Sequence, residues 1–163
     1  DCNTLPFNYN SSLDIWQFVV SPYIVMMDET TNCCVFLNEA GRCSIHAFRP
    51  GICRLFPLGR YYEDGDYKYF LQVNECQKDN RTKVKISKWV DTPEYPKYKT
   101  YILKWHYFLN EVEEILATSG DEEYSKQCCM LILQAFYMKK YDVTRDFYEQ
   151  FEERYRVVKE ALS

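Results

Sequence analysis

Glycine is scarce in this 163-residue chain, with five scattered along its length, so no glycine-rich loop is present to cradle a phosphate. Long apolar runs are missing too: none approaches the ~20 residues that a membrane span requires, which excludes a membrane-spanning helix within these residues. Positive charge is not in excess. The net charge is −4 and the isoelectric point is about 5.3, whereas non-specific nucleic-acid binding normally leaves a basic footprint. Paired C-x-x-C knuckles are absent, histidines number only two, and no nucleophile with its base or acid–base pair stands out to support a reaction.

What the chain does have is apolar material and thiols. Hydrophobic residues make up 47% and aromatics 17%, enough for one domain, or one domain with an appendage, to bury roughly two thirds of its unfolded surface. Eight cysteines are present. The chain is organised around residues 33–57, where Cys34, Cys43 and Cys53 recur at short intervals and Cys76 follows after a turn-rich stretch. Deprotonated cysteine is a soft ligand suited to tetrahedral zinc or to iron in a cluster. The Asn38-Glu39-Ala40-Gly41 segment predicts a tight turn, because Asn and Gly accept positive φ, and that turn would bring Cys34 toward Cys43. Pro50 is suited to open a short helical turn carrying Cys53. Arg42, Arg49 and Arg54 would favour thiolate nearby, or one of them simply hydrogen-bonds loop carbonyls.

These residues resemble a known family. The Cys34-x-Phe-Leu, Gly-Arg-Cys43-Ser-Ile-His46 and Arg49-Pro-x-x-Cys53-Arg-x-Phe-Pro57 segments, followed by Cys76, are similar to the YkgJ-type cysteine-cluster family of zinc- or iron-chelating proteins, which is distantly related to the flagellin lysine N-methylases. The resemblance implies that Cys34, Cys43, Cys53 and Cys76 are metal ligands and that the cofactor is zinc or iron, the latter including an iron–sulfur cluster. Cys33 is demoted to packing, with Cys2 and His46 as further candidates. Members usually begin with a Cys-x-x-Cys-x-x-Cys-Cys cluster, whereas this chain opens Asp1-Cys2-Asn3 without an initiator Met. The expectation is that this half of the site is lost, or that an N-terminal cysteine segment precedes the residues given. Cys2 is then the remnant of that cluster.

The rest of the chain reads as an α+β protein: a small cysteine-rich head with a β-hairpin, then about three C-terminal helices. Residues 1–90 are expected to form the metal-binding domain and 91–163 a helical extension packed on it. Leu13, Ile15, Trp16, Phe18 and Val19 suggest a short helix over 12–20, and Tyr23 to Met27 a brief strand. Asp64-Gly65 between tyrosine-rich runs predicts a hairpin over 58–73, with the tyrosines serving cross-strand packing and the return strand carrying Cys76 toward Cys53. The basic segment 79–88 fits an edge strand or the start of a helix. Helical spacing runs from Thr92-Pro93-Glu94 to Gly120. Asp121 caps a second, buried helix containing Cys128 and Cys129, and Asp142 or Thr144 starts a third with a Glu152–Arg156 pair on its surface. His106 reads as structural, His46 as a loop histidine within reach of a metal, and Cys128 and Cys129 as core.

The functional expectation is a cytoplasmic metal-binding protein acting through a protein partner or protein substrate. Two alternatives follow: an iron–sulfur enzyme resembling protein-lysine methyltransferases, and a secreted disulfide-stabilised protein. The last draws on the even cysteine count and on Asn10-Ser-Ser and Asn80-Arg-Thr as glycosylation acceptors.

Overall fold

The computed structural model describes the backbone of residues 7–10 and 15–18 and, in full, residues 28, 30, 31, 33–48, 51–73 and 82–162. Its elements run β1 (Phe7–Asn10), β2 (Ile15–Phe18), a 3-10 turn (His46–Phe48), α1 (Gly51–Leu55), β3 (Leu58–Glu63), β4 (Asp66–Leu71), α2 (Ile86–Val90), α3 (Tyr95–Ser119), α4 (Glu122–Leu133) and α5 (Phe147–Leu162). This is the expected α+β content. The chain divides into two compact units, residues 21–93 on the one hand and residues 1–20 with 94–163 on the other.

Where a helix is expected over 12–20, Ile15–Phe18 is instead a strand paired antiparallel with Phe7–Asn10. The run is short, and a short apolar run has no periodicity to separate the two states. Ile, Trp and Phe then follow their strand preference once a partner is available. The strand expected at 23–27 lies outside the described residues.

In unit 21–93 the hairpin forms as read, with Glu63 opposite Asp66. Asp64 and Gly65 both take positive φ, 51° and 74°, the pair of left-handed residues that a two-residue turn needs to match strand twist. The tyrosines pack on each other: Tyr67 meets Tyr69 edge-on at 5.1 Å and Tyr62 at 5.6 Å. Gly59 sits opposite Phe70, whose ring occupies the space where a Cβ would be, 2.3 Å from it. Of the basic segment, residues 82–85 are irregular and 86–88 enter the short helix α2, whose Val90 is fully buried.

The other unit holds the three long helices α3, α4 and α5. Predicted boundaries hold for α3, which ends at a left-handed Gly120 whose N–H reaches the Leu116 carbonyl, and for α4, where the Asp121 carboxylate accepts the N–H groups of Glu123 and Tyr124 at 2.9 and 3.1 Å. This satisfies donors that a helix start leaves orphaned. α4 runs on into a π-helical turn, Gln134–Met138. Phe108, Val112 and Leu116 of α3, Cys128, Cys129 and Ile132 of α4, Phe136, and Phe151 and Val158 of α5 form one core.

α5 starts later than read. The Asp146 carboxylate, not Asp142 or Thr144, accepts the Glu149 N–H, while Asp142 turns back on Thr144 at 2.9 and 2.6 Å. Buried Gln150 fixes this approach, donating to the carbonyls of Asp142 and Asp146 and accepting from the Asp142 N–H. Glu152 does not pair with Arg156; its carboxylate meets Lys104 of α3. Interhelical reach wins there because the two helices are packed side by side.

Candidate metal centre

The first thiols are held by two turns. Asp28 closes the earlier one: its Oδ1 accepts from the N–H and hydroxyl of Thr30 and of Thr31 at 2.5–3.0 Å, and its own N–H donates to the Cys33 carbonyl at 2.8 Å. Those four bonds pull the Asp28 carboxyl down to about 2. Bonds to the charged form favour ionisation.

The second turn is the one expected between Asn38 and Gly41. Asn38 Oδ1 accepts the N–H groups of Ala40 and Arg42 at 3.1 and 2.9 Å, and Gly41 takes φ 67°. Leu37 then bridges Cys43 in antiparallel register, while the Leu37 N–H donates to the Cys34 carbonyl at 3.0 Å. Cys34 and Cys43 therefore share Leu37 as a common backbone neighbour. Ser44 adds a clasp, its N–H and hydroxyl both reaching the Phe36 carbonyl at 2.8 and 2.9 Å.

Cys53 is the middle residue of α1 and, like Cys34 and Cys43, is half-buried. Arg54 beside it spends its guanidinium on backbone, donating to the Ala47 carbonyl at 3.1 Å and the Asp91 carbonyl at 2.6 Å. The carbonyl-binding reading of that arginine is the one the geometry supports. At the base of the hairpin the Gln72 N–H donates to the Pro57 carbonyl at 3.0 Å. Gln72, the residue after the return strand, thus lies beside the chain that leaves Cys53, four residues before Cys76.

Cys76 and Cys2 lie outside the described residues. Cys33 is exposed, so packing is not its role; its carbonyl serves the Asp28 turn. His46 is exposed at the start of the 3-10 turn. Among the described residues no three His, Cys, Asp or Glu side chains converge on one position able to hold a metal ion: the turn associates Cys34 with Cys43, and Cys53 does not complete a trio with them. The donor chemistry nevertheless fits zinc or iron, since three half-buried thiols on turns and a short helix are soft ligands, and metal binding by such a set is coupled to folding.

Elsewhere the thiols are core. Burial pushes the Cys129 thiol up to about 11, with Cys128 adding to the effect, so at neutral pH it is a protonated, small apolar group of the core. His106, half-buried on α3 with Nε2 3.3 Å from Asn110 Nδ2, is lowered below its ordinary value by burial, as a structural imidazole would be. All six described cysteines are thiols, none in a disulfide.

Three contributors are not apparent from local sequence. Asp28 carries only the weak signal of Asp followed by two threonines. Asp91 and Trp89 are separated from their partners by 37 and 33 residues, and no periodicity reports such a pairing.

The CxxCxxCC family model, described as “Putative zinc- or iron-chelating domain”, matches residues 6–84 of the chain. No curated protein and no solved structure matches it. No described helix is long and apolar enough to cross a membrane.

Proposed function

We propose, from the premise that residues 6–84 belong to the cysteine-cluster family of zinc- or iron-chelating domains, that this protein binds one metal centre through Cys34, Cys43, Cys53 and Cys76. The carrying observation is the Asn38 turn, which seats Cys43 against Leu37 and Leu37 against Cys34. Zinc is the favoured metal, because four thiolates satisfy its tetrahedral preference without further donors. When bound, such a centre supplies folding free energy; the chain's own residues set the turns and hold the thiols at the surface of unit 21–93.

A site closed by four thiolates performs no reaction. The function we propose therefore lies in contact with a protein partner or protein substrate. A reducing cytoplasm is the compartment that keeps such thiols available.

Elemental analysis and an ultraviolet–visible spectrum of protein purified without oxygen and without an affinity metal column test this reading. Zinc without visible absorption supports it. Iron with sulfide and absorption near ~400 nm, as thiolate-held clusters show, replaces it with the iron–sulfur enzyme and calls for an S-adenosylmethionine binding assay. Absence of both metals overturns it.

A further inference from the structure

The family match ends at residue 84, yet the ties that hold the Cys53 helix reach past that point. Arg54 Nη1 donates to the Asp91 carbonyl at 2.6 Å and lies 3.7 Å from its carboxylate, while Nη2 donates to the Ala47 carbonyl at 3.1 Å. One guanidinium thus joins three pieces of chain: the 3-10 turn that follows Cys43, the helix that carries Cys53, and the end of α2. Asp91 offers its carbonyl from a left-handed conformation, φ 48°, at the C-cap of α2. A second tie runs parallel to the first, from the Trp89 indole N–H to the Phe56 carbonyl at 3.1 Å. Between the two, Val90 is fully buried and Leu55 is 5% exposed. α1 and α2 are therefore packed as well as tied.

These ties have a consequence for the metal. Thiols on separate pieces of chain pay conformational entropy when a metal gathers them, and any contact that already fixes one of them reduces that cost. Outer contacts that orient a ligand typically change metal affinity by about 10–100-fold. The side chain of Arg54 is 18% exposed, so its fork is largely withdrawn from water and holds a defined geometry. Both nitrogens named above face carbonyls, and a planar fork is the group suited to bridging two such acceptors.

We infer that α2 is part of the metal-binding unit, with Arg54 and Trp89 acting as positioning residues that hold Cys53 ready for the metal, so that the functional boundary lies after Asp91 and not at residue 84. The inference rests on the reading of Cys53 as a ligand.

The test uses the full chain with zinc as the probe, competed against a chromophoric chelator under reducing, oxygen-free conditions, with Arg54→Gln, Arg54→Lys, Trp89→Phe and Cys53→Ser compared with wild type. Arg54→Gln and Trp89→Phe are expected to weaken zinc binding by about 10–100-fold and several-fold respectively. In the metal-free chain both are expected to speed amide exchange at Phe56, whose N–H is bonded to the Ile52 carbonyl at 3.0 Å. Arg54→Lys keeps the charge but replaces the fork with a single nitrogen, and is expected to behave like Arg54→Gln.

Wild-type affinity in both Arg54→Gln and Trp89→Phe, with Cys53→Ser losing zinc, overturns the inference and leaves the metal reading standing. Full recovery by Arg54→Lys also overturns it, since charge and not the bridge would then matter. Zinc held undiminished by Cys53→Ser overturns the metal reading and the inference together. Trp89→Phe keeps an aromatic ring at the position and removes the indole hydrogen bond, so it stays informative where Arg54→Gln unfolds the unit.

Discussion

The guanidinium carbon of Arg154 lies 3.5 Å over the ring of Tyr141, and the same group donates to three carbonyls, those of Ala135 and Lys139 at 2.8 and 2.7 Å and that of Lys140 at 2.8 Å. The residue is buried. It closes the end of the α4 and π-helical segment, whose last carbonyls have no partner within the helix. Burial raises the Tyr141 phenol while Arg154 opposes the rise.

Arg154→Met is expected to lower the stability of the helical unit by about 2–4 kcal/mol, because three carbonyl acceptors lose a charged donor that is itself buried and the ring loses its cation. Arg154→Lys should recover less than half, since an ammonium cannot span the three acceptors. Urea denaturation followed by helical circular dichroism checks both. A loss under about 0.5 kcal/mol, the range of an ordinary surface change, would refute this role.

Metal retention should separate the two groups of cysteines. Cys43→Ser and Cys53→Ser are expected to lose metal and destabilise unit 21–93, because binding free energy, about 10–16 kcal/mol for structural zinc sites, is folding free energy. Cys129→Ala should keep its metal and cost about 1 kcal/mol of core packing. Metal content by mass spectrometry under native conditions decides; metal lost in Cys129→Ala would bring the helices into the ligand set.

The Cys129 thiol also predicts an alkaline limb. Its folded value is raised from 9.0 to about 11 by burial, so its contribution is fully present below pH 9 and is lost as pH rises through about 11. Stability against urea should fall across that window in wild type and fall less in Cys129→Ala. Rapid alkylation of native Cys129 at pH 8 would contradict it.

His106 predicts an acid limb. Burial lowers its folded value below 6.5, so the neutral ring's contribution is present above that value and is lost as pH falls through the lower folded one. A His106→Gln chain should show less loss between pH 7 and pH 5, and an imidazole titration by nuclear magnetic resonance with a midpoint at or above 6.5 would exclude the effect.

Asp28 controls a different turn. With its carboxyl lowered from 3.8 to about 2, the turn that receives the Cys33 carbonyl is intact above pH 3.8 and opens as pH approaches 2. Asp28→Ala should loosen residues 28–33 at neutral pH, seen as faster amide exchange at Thr30 and Thr31. Unchanged exchange would remove the carboxylate from its role as the turn's acceptor.

Much of this protein is written locally in its sequence. Asp64-Gly65 determines a two-residue hairpin because positive φ is cheap there, Asn38 to Gly41 determines the turn between Cys34 and Cys43 for the same reason, and Asp121 and Gly120 bound helices by donating or accepting what a helix end lacks. The soft thiol set and its family resemblance depend on residue identity alone. Tertiary structure decided the rest: Ile15–Phe18 became a strand because a partner strand was available, Glu152 turned from Arg156 to Lys104 because a neighbouring helix lay within reach, and Arg54 spent its charge on carbonyls 7 and 37 residues away. Local pattern records backbone preference over a few residues, whereas these choices depend on which distant groups folding brings within hydrogen-bond reach.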